Sequence, residues 1–250
     1  MKTSILLFVL MVIMWSCQIE QKAEQSNSPK DGVDISNSDP AAIELADSIM
    51  IAVGGRENWN STRFFSWTLS GERKIFWDKE MGRGRIENER DGSVYLVNLN
   101  NGSGRVEVNG NELIEPDSLR RRLKIARSIL IEDVYGLVLP FKLKDSGVTL
   151  KYMGEDTLKG RFYNILQLTF PKIDKDPQKE YKIYVDVKEK IVKYWSYYAD
   201  SRQEMPTFTR PWDNYQKYGR ILISSNRSYG DGPTSVKVEE SLPEKLFTEF

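Results

Sequence analysis

The chain has 250 residues, with 36 basic and 36 acidic side chains, one cysteine and no histidine. Balanced charge leaves no global field to attract nucleic acid, and the length fits one domain of the larger all-β or α+β kind. Without histidine there is no Ser-His-Asp or Cys-His catalysis, and with Cys17 as the only thiol a zinc or other soft-metal site lacks ligands.

Lys2, the apolar run 5–15 and the small Ser16 have the layout of a secretory signal peptide over residues 1–16. The run is too short for a bilayer crossing, which needs about 20 apolar residues. Met14-Trp15-Ser16-Cys17 resembles the lipobox of bacterial lipoproteins, where cleavage precedes the cysteine and its thiol receives acyl chains such as palmitate; Trp15 departs from the small or aliphatic residue usual there. A lone thiol in an oxidising compartment agrees with modification. At about 0.8 kcal/mol per buried methylene, several acyl chains make a durable anchor. Residues 17–39 are rich in Gln, Ser, Asn, Lys and Asp, bury too little to offset the entropy of ordering, and read as a flexible tether. Gln18 follows the cysteine, whereas an Asp there resembles an inner-membrane retention signal, so the outer membrane is the expected location. The periplasmic and surface faces both stay open.

Residues 40–250 read as one domain. Asp39 and Pro40 are set as N-cap and first helical residue, with Ile43, Ala46, Met50 and Val53 on one helical face before Gly54-Gly55. From Thr62 the period changes to two, with Phe65, Trp67, Leu69, Ile75 and Trp77 alternating with other side chains around a bend at Gly71. Strands at 82–89, 93–98 and 104–109 follow, separated by Asp91-Gly92, Asn101-Gly102 and Asn109-Gly110, which are hairpin turn signals. Pro116-Asp117-Ser118 opens a second helix with an apolar stripe of Leu119, Leu123, Ala126, Leu130 and Val134, opposite Arg120, Arg121, Arg122, Lys124 and Arg127. After a break at Gly136 and Pro140, strands are expected at 148–153, 162–170, 179–186, 191–199, 220–226 and 235–239. The class is α+β: about ten antiparallel strands in a large curved sheet, an unclosed half-barrel wrapped over two principal helices.

LPFKLKDSGVTLKYMGEDTLKGRFYNILQLTF (139–170), IYVDVKEKIVKYWSYY (183–198) and ADSIMIAVGGRENW (46–59) resemble a family of uncharacterised Gram-negative lipoproteins related to the outer-membrane lipoprotein-sorting superfamily of LolA, LolB and LppX. The resemblance spans most of residues 40–230. It implies an open antiparallel half-barrel over helices, with an apolar cavity that receives acyl chains. LolA is a soluble carrier, so an anchored chain is closer to LolB or LppX in topology.

Phe65, Trp67, Leu69, Trp77, Leu150, Tyr152, Leu166, Leu168 and Trp195 are the candidate lining of such a cavity, and serve equally as packed core. Tyr135, Leu137, Leu139 and Phe141 form either a lid or core. Phe208, Trp212 and Tyr215 sit in the segment 206–220, which either grips a sugar, a lipid or a protein partner or covers one end of the half-barrel. The basic stretch 120–127 faces solvent or anionic headgroups. Asp174 and Asp176 read as a polar turn rather than a calcium loop. No catalytic constellation, metal site or cofactor is implied. The expectation is a non-enzymatic outer-membrane lipoprotein that binds a lipid or other hydrophobic molecule, the alternative being an envelope scaffold with a filled core that acts through protein contacts.

Overall fold

The computed structural model describes residues 37–170 and 178–250. The expected leader, Cys17, nearly all of the expected tether and the expected polar turn at Asp174 and Asp176 lie outside the described residues. In chain order the elements are α1 (Pro40–Ala52), α2 (Arg56–Ser61), β1 (Phe64–Leu69), β2 (Arg73–Asp78), β3 (Arg83–Asn88), β4 (Ser93–Asn98), β5 (Gly104–Val108), β6 (Asn111–Glu112), α3 (Pro116–Val138) and a 3-10 turn (Leu139–Phe141). There follow β7 (Thr149–Leu158), β8 (Arg161–Thr169), β9 (Glu180–Asp186), β10 (Val192–Tyr198), β11 (Phe208–Pro211), β12 (Tyr215–Tyr218), β13 (Ile221–Ser224), β14 (Thr234–Glu239) and a second 3-10 turn (Glu244–Phe247).

The class is α+β, antiparallel and unclosed. The strands divide between a seven-stranded sheet, β14-β1-β2-β3-β4-β5-β6, a five-stranded sheet, β11-β10-β9-β8-β7, and the hairpin β12-β13. Alternation fixes one face of the larger sheet as apolar. Cross-strand pairing aligns Phe65, Trp77, Gly84, Val97 and Gly104 in one row, and Trp67, Ile75, Ile86, Tyr95 and Val106 in the next.

The long helix α3 lies on this face. Glu115 caps it, accepting the Asp117 and Ser118 N–H groups at 3.0 and 2.7 Å. Leu123, Ala126, Leu130 and Val134 are buried against the sheet, as their spacing implies. Gly84 permits the close approach: a Cβ there would stand 2.2 Å from Leu130 Cδ2. Arg73 locks the helix to β2 through a bidentate pair with Asp133, both bonds at 2.8 Å. The expected break at Gly136 does not occur. The helix continues to Val138 because Leu137 and Val138 are buried in the same core, and Pro140 falls in the following 3-10 turn.

A second core lies between the five-stranded sheet and α1. Leu150, Leu166, Leu168, Ile183 and Val185 meet Ala42, Leu45, Ala46 and Ile49 there, while Met50 and Val53 at the helix end reach the first core. Ala46, Met50 and Val53 are therefore buried as expected, but Ile43 is only half-buried. Asp39 does not cap α1 with its side chain. Its Oδ2 accepts the Tyr152 N–H at 3.1 Å and its own N–H donates to the Leu150 carbonyl at 3.0 Å, which ties the helix start to the edge of β7. The segment 206–220 is not a simple loop: it supplies edge strand β11, with Pro211 at its end where no ladder N–H is needed, and then β12.

Candidate functional site

Beyond the aliphatic core of the five-stranded sheet, the same face turns aromatic. Tyr181 continues the line of Ile183 and Val185 on β9, and Trp195 and Tyr197 pair across to Ile183 and Tyr181. Tyr181 and Trp195 are nearly parallel, their centroids 5.7 Å apart and their planes at 9°. Phe208 on β11 meets Trp195 edge-on at 5.0 Å and Tyr197 at 5.5 Å. These rings face the last turns of α3, and between sheet and helix lies a cleft of about 220 Å³ lined by Glu132, Tyr135, Gly136, Leu139, Lys179, Tyr181, Trp195, Tyr197 and Phe208.

Each boundary of the cleft has a physical origin. At Gly136 the helix presents bare backbone, and a Cβ there would meet nothing within 4 Å. Below, Trp212 packs edge-on under Trp195 at 5.6 Å. Glu132 and Lys179 form a 2.8 Å ion pair, both about half-exposed. Tyr135 packs edge-on to Phe170 at 5.3 Å and carries the Lys142 ammonium 5.0 Å over its ring. Burial pushes the phenols of Tyr135 and Tyr181 well above the usual tyrosine range, with Asp145 acting on the former and Tyr197 on the latter in the same direction. Both phenols are neutral at physiological pH, so the cleft offers ring faces, one salt-bridged pair and exposed helix backbone. Such a surface suits apolar groups. Among the described residues, no three His, Cys, Asp or Glu side chains gather as metal ligands would.

The candidate residues are distributed as follows. Phe65, Trp67 and Trp77 are buried in the first core, with Leu69 half-buried beside it; Leu150, Leu166 and Leu168 are buried in the second. Tyr152 is half-buried there and donates its hydroxyl to Asn164 Oδ1 at 2.8 Å. Of that group Trp195 alone lines the cleft. Tyr135 and Leu139 line it too, whereas Leu137 and Phe141 are buried in the first core and Phe141 stacks on Trp59 at 4.6 Å. Phe208 forms one wall, Trp212 is fully buried, and Tyr215 donates its hydroxyl to the Val192 carbonyl at 3.0 Å. Sequence reasoning missed Tyr181, Tyr197, Gly136, Glu132 and Lys179. The available signal was the change from Ile and Val to Tyr and Trp along one face of 180–198.

Residues 104–227, just under half of the chain, match a family of unknown function, DUF6503, and this segment contains every residue of the cleft. No curated protein matches the chain. The fold is similar to that of a DUF1329 family protein from Desulfovibrio piger ATCC 29098, at 14% identity and a TM-score of 0.47, covering 84% of this chain and 98% of that one. It is also similar to an outer membrane lipoprotein-sorting protein domain from Vibrio parahaemolyticus, at 9% identity and a TM-score of 0.44, covering 84% of this chain and 97% of that one. MucB is more distant, at 11% identity and a TM-score of 0.28, covering 84% of this chain and 62% of that one.

Proposed function

We propose that this chain is a non-enzymatic envelope lipoprotein, cleaved after residue 16, acylated at Cys17 and held at the outer membrane by the tether 17–39. Its domain, 40–250, binds a hydrophobic ligand in the cleft between α3 and β9–β11. The observation that carries this reading is the wall of five aromatic and aliphatic side chains, Tyr181, Trp195, Tyr197, Phe208 and Leu139, left open beside a helical glycine. Small-molecule pockets run from about 300 to 1,000 Å³, so at about 220 Å³ the cleft takes a single ring or the end of an acyl chain. The deeper residues Phe65, Trp67, Leu150 and Leu166 serve as packed core. Among the described residues no helix is long and apolar enough to cross a membrane, and the proposed anchor is the acylated Cys17.

The cleft's size favours one alternative, in which a partner protein inserts an aromatic or aliphatic side chain and the chain acts as an envelope scaffold. Native mass spectrometry with lipid extraction on residues 27–250, purified from a Gram-negative host, separates the two. A hydrophobic adduct present in the wild type and absent from folded Gly136→Leu supports the ligand reading. A folded wild type without adduct, and without uptake of added fatty acid, refutes it and leaves the scaffold.

A further inference from the structure

The first half of α3 carries a second concavity, a groove of about 470 Å³ lined by Tyr95, Ser118, Arg121, Arg122 and Ile125. Positions 118, 121, 122 and 125 are spaced three, four and seven apart and share one helix face. Tyr95 stands on β4, in the sheet row that faces the helix. Arg122 Nη1 donates to the Tyr95 hydroxyl at 3.1 Å and Arg121 Nη2 to Ser118 Oγ at 2.9 Å. Among the described residues neither guanidinium has a carboxylate within ion-pair distance. Elsewhere Arg63, Arg73, Arg83, Arg105 and Arg210 are each paired with one.

The nearby acids are committed. Asp117 pairs with Arg120, and Glu115 accepts the first N–H groups of the helix and the Ser118 hydroxyl, with Arg121 acting on it only through space. Lys124 is exposed on the adjoining surface, and Arg127 donates to the Leu99 carbonyl at 3.0 and 2.8 Å. The groove thus presents two guanidinium forks and the Tyr95 hydroxyl toward a shared acceptor, which is a donor set for a tetrahedral oxyanion. Ile125, 60% exposed, lies in the same groove and supplies an apolar contact beside the cations.

We infer that this groove receives the phosphate of an anionic lipid headgroup. Charge complementarity supplies the anion, and the exposed Ile125 selects a headgroup at an apolar boundary over an anion free in water. The site is separate from the cleft. Positions 118, 121, 122 and 125 stand 14 residues before 132, 135, 136 and 139, about 21 Å along the axis and rotated by only about 40°. One orientation on a bilayer therefore presents both to the membrane.

The test is co-sedimentation of residues 17–250 carrying Cys17→Ser, so that neither the leader nor an acyl anchor contributes, with vesicles of phosphatidylcholine alone or mixed with phosphatidylglycerol. The wild-type sequence at the groove gives a clear preference for the anionic vesicles. Arg121→Gln with Arg122→Gln weakens that preference roughly 30-fold, and Tyr95→Phe, which leaves charge unchanged, weakens it roughly five-fold. Equal loss in Lys151→Gln with Lys188→Gln would mean that only total charge matters and would overturn the proposal. So would line broadening of inorganic phosphate in ³¹P NMR without any preference for anionic vesicles, which assigns the groove to a soluble anion.

Discussion

The guanidinium of Arg227 lies 3.6 Å from the ring centroid of Trp212, and both side chains are buried. The same group donates from Nη2 to the Gly136 carbonyl at 2.7 Å and from Nε to Ser224 Oγ at 2.9 Å. The last turn of α3 has no basic side chain of its own. A residue beyond β13 therefore supplies the cation that helix C-terminal carbonyls favour. Burial lowers the Arg227 pKa to about 10, against the charges of Asp231 and Asp213, so it remains a cation at neutral pH. One buried arginine thus fixes the cleft's helix backbone and the tryptophan beneath Trp195.

Replacing Arg227 by Leu removes the cation–π contact and the bond to the helix end together. The expected loss is about 3 kcal/mol in urea unfolding. An unchanged midpoint would show that the contact contributes nothing.

Two glycines of α3's surroundings should respond in opposite directions. Gly84→Val drives a side chain into Leu130 and should destabilise by about 1–3 kcal/mol through overpacking. Gly136→Ala places its methyl in open space on a helix and should stabilise by about 0.5–1 kcal/mol. Thermal unfolding of the two variants checks the pair, and a shift of the same sign for both contradicts this geometry.

The Asp78 carboxylate is fully buried, with Arg63 and Arg83 both bonded to it at 2.9 Å. Burial alone would raise its pKa, but the two arginine bonds and the Met81 N–H outweigh this and hold it at about 2, below its ordinary 3.8. A depressed acid stabilises above its unfolded pKa and loses that contribution as pH falls through the folded value. Wild type should therefore exceed Asp78→Asn by about 2 kcal/mol at neutral pH. The gap should close between pH 4 and pH 2, and a gap constant across that window would contradict the assignment.

Much of the fold can be read directly from the chain. Asn109 and Gly110 take φ of 51° and 76°, the two positive angles of a type I′ hairpin turn, and the strands flanking each Gly turn begin within a residue or two of their alternating runs. The division into two sheets was not legible, because strands of either sheet alternate alike and nothing local marks which edge a strand joins. Gly136 misled for an energetic reason: burial of Leu137 and Val138 outweighs the weak helix propensity of one glycine. The prolines at 206 and 211 made the segment 206–220 look irregular, although an edge strand accepts a proline at its end. The cleft was hidden because Tyr181 keeps the same two-residue period as Ile183 and Val185, and periodicity reports which way a side chain points but not whether anything packs against it.

The central claim, that the aromatic cleft holds an apolar ligand, is tested most directly by titrating a fluorescent fatty acid into the wild type, Gly136→Leu and Leu150→Ala. The cleft is open at Gly136, whereas Leu150 is packed in the second core. Saturable uptake should be retained in Leu150→Ala, which loses about 2–5 kcal/mol of stability, and abolished in Gly136→Leu, which stays folded. Uptake unchanged in Gly136→Leu, or no uptake by the wild type, would contradict the claim.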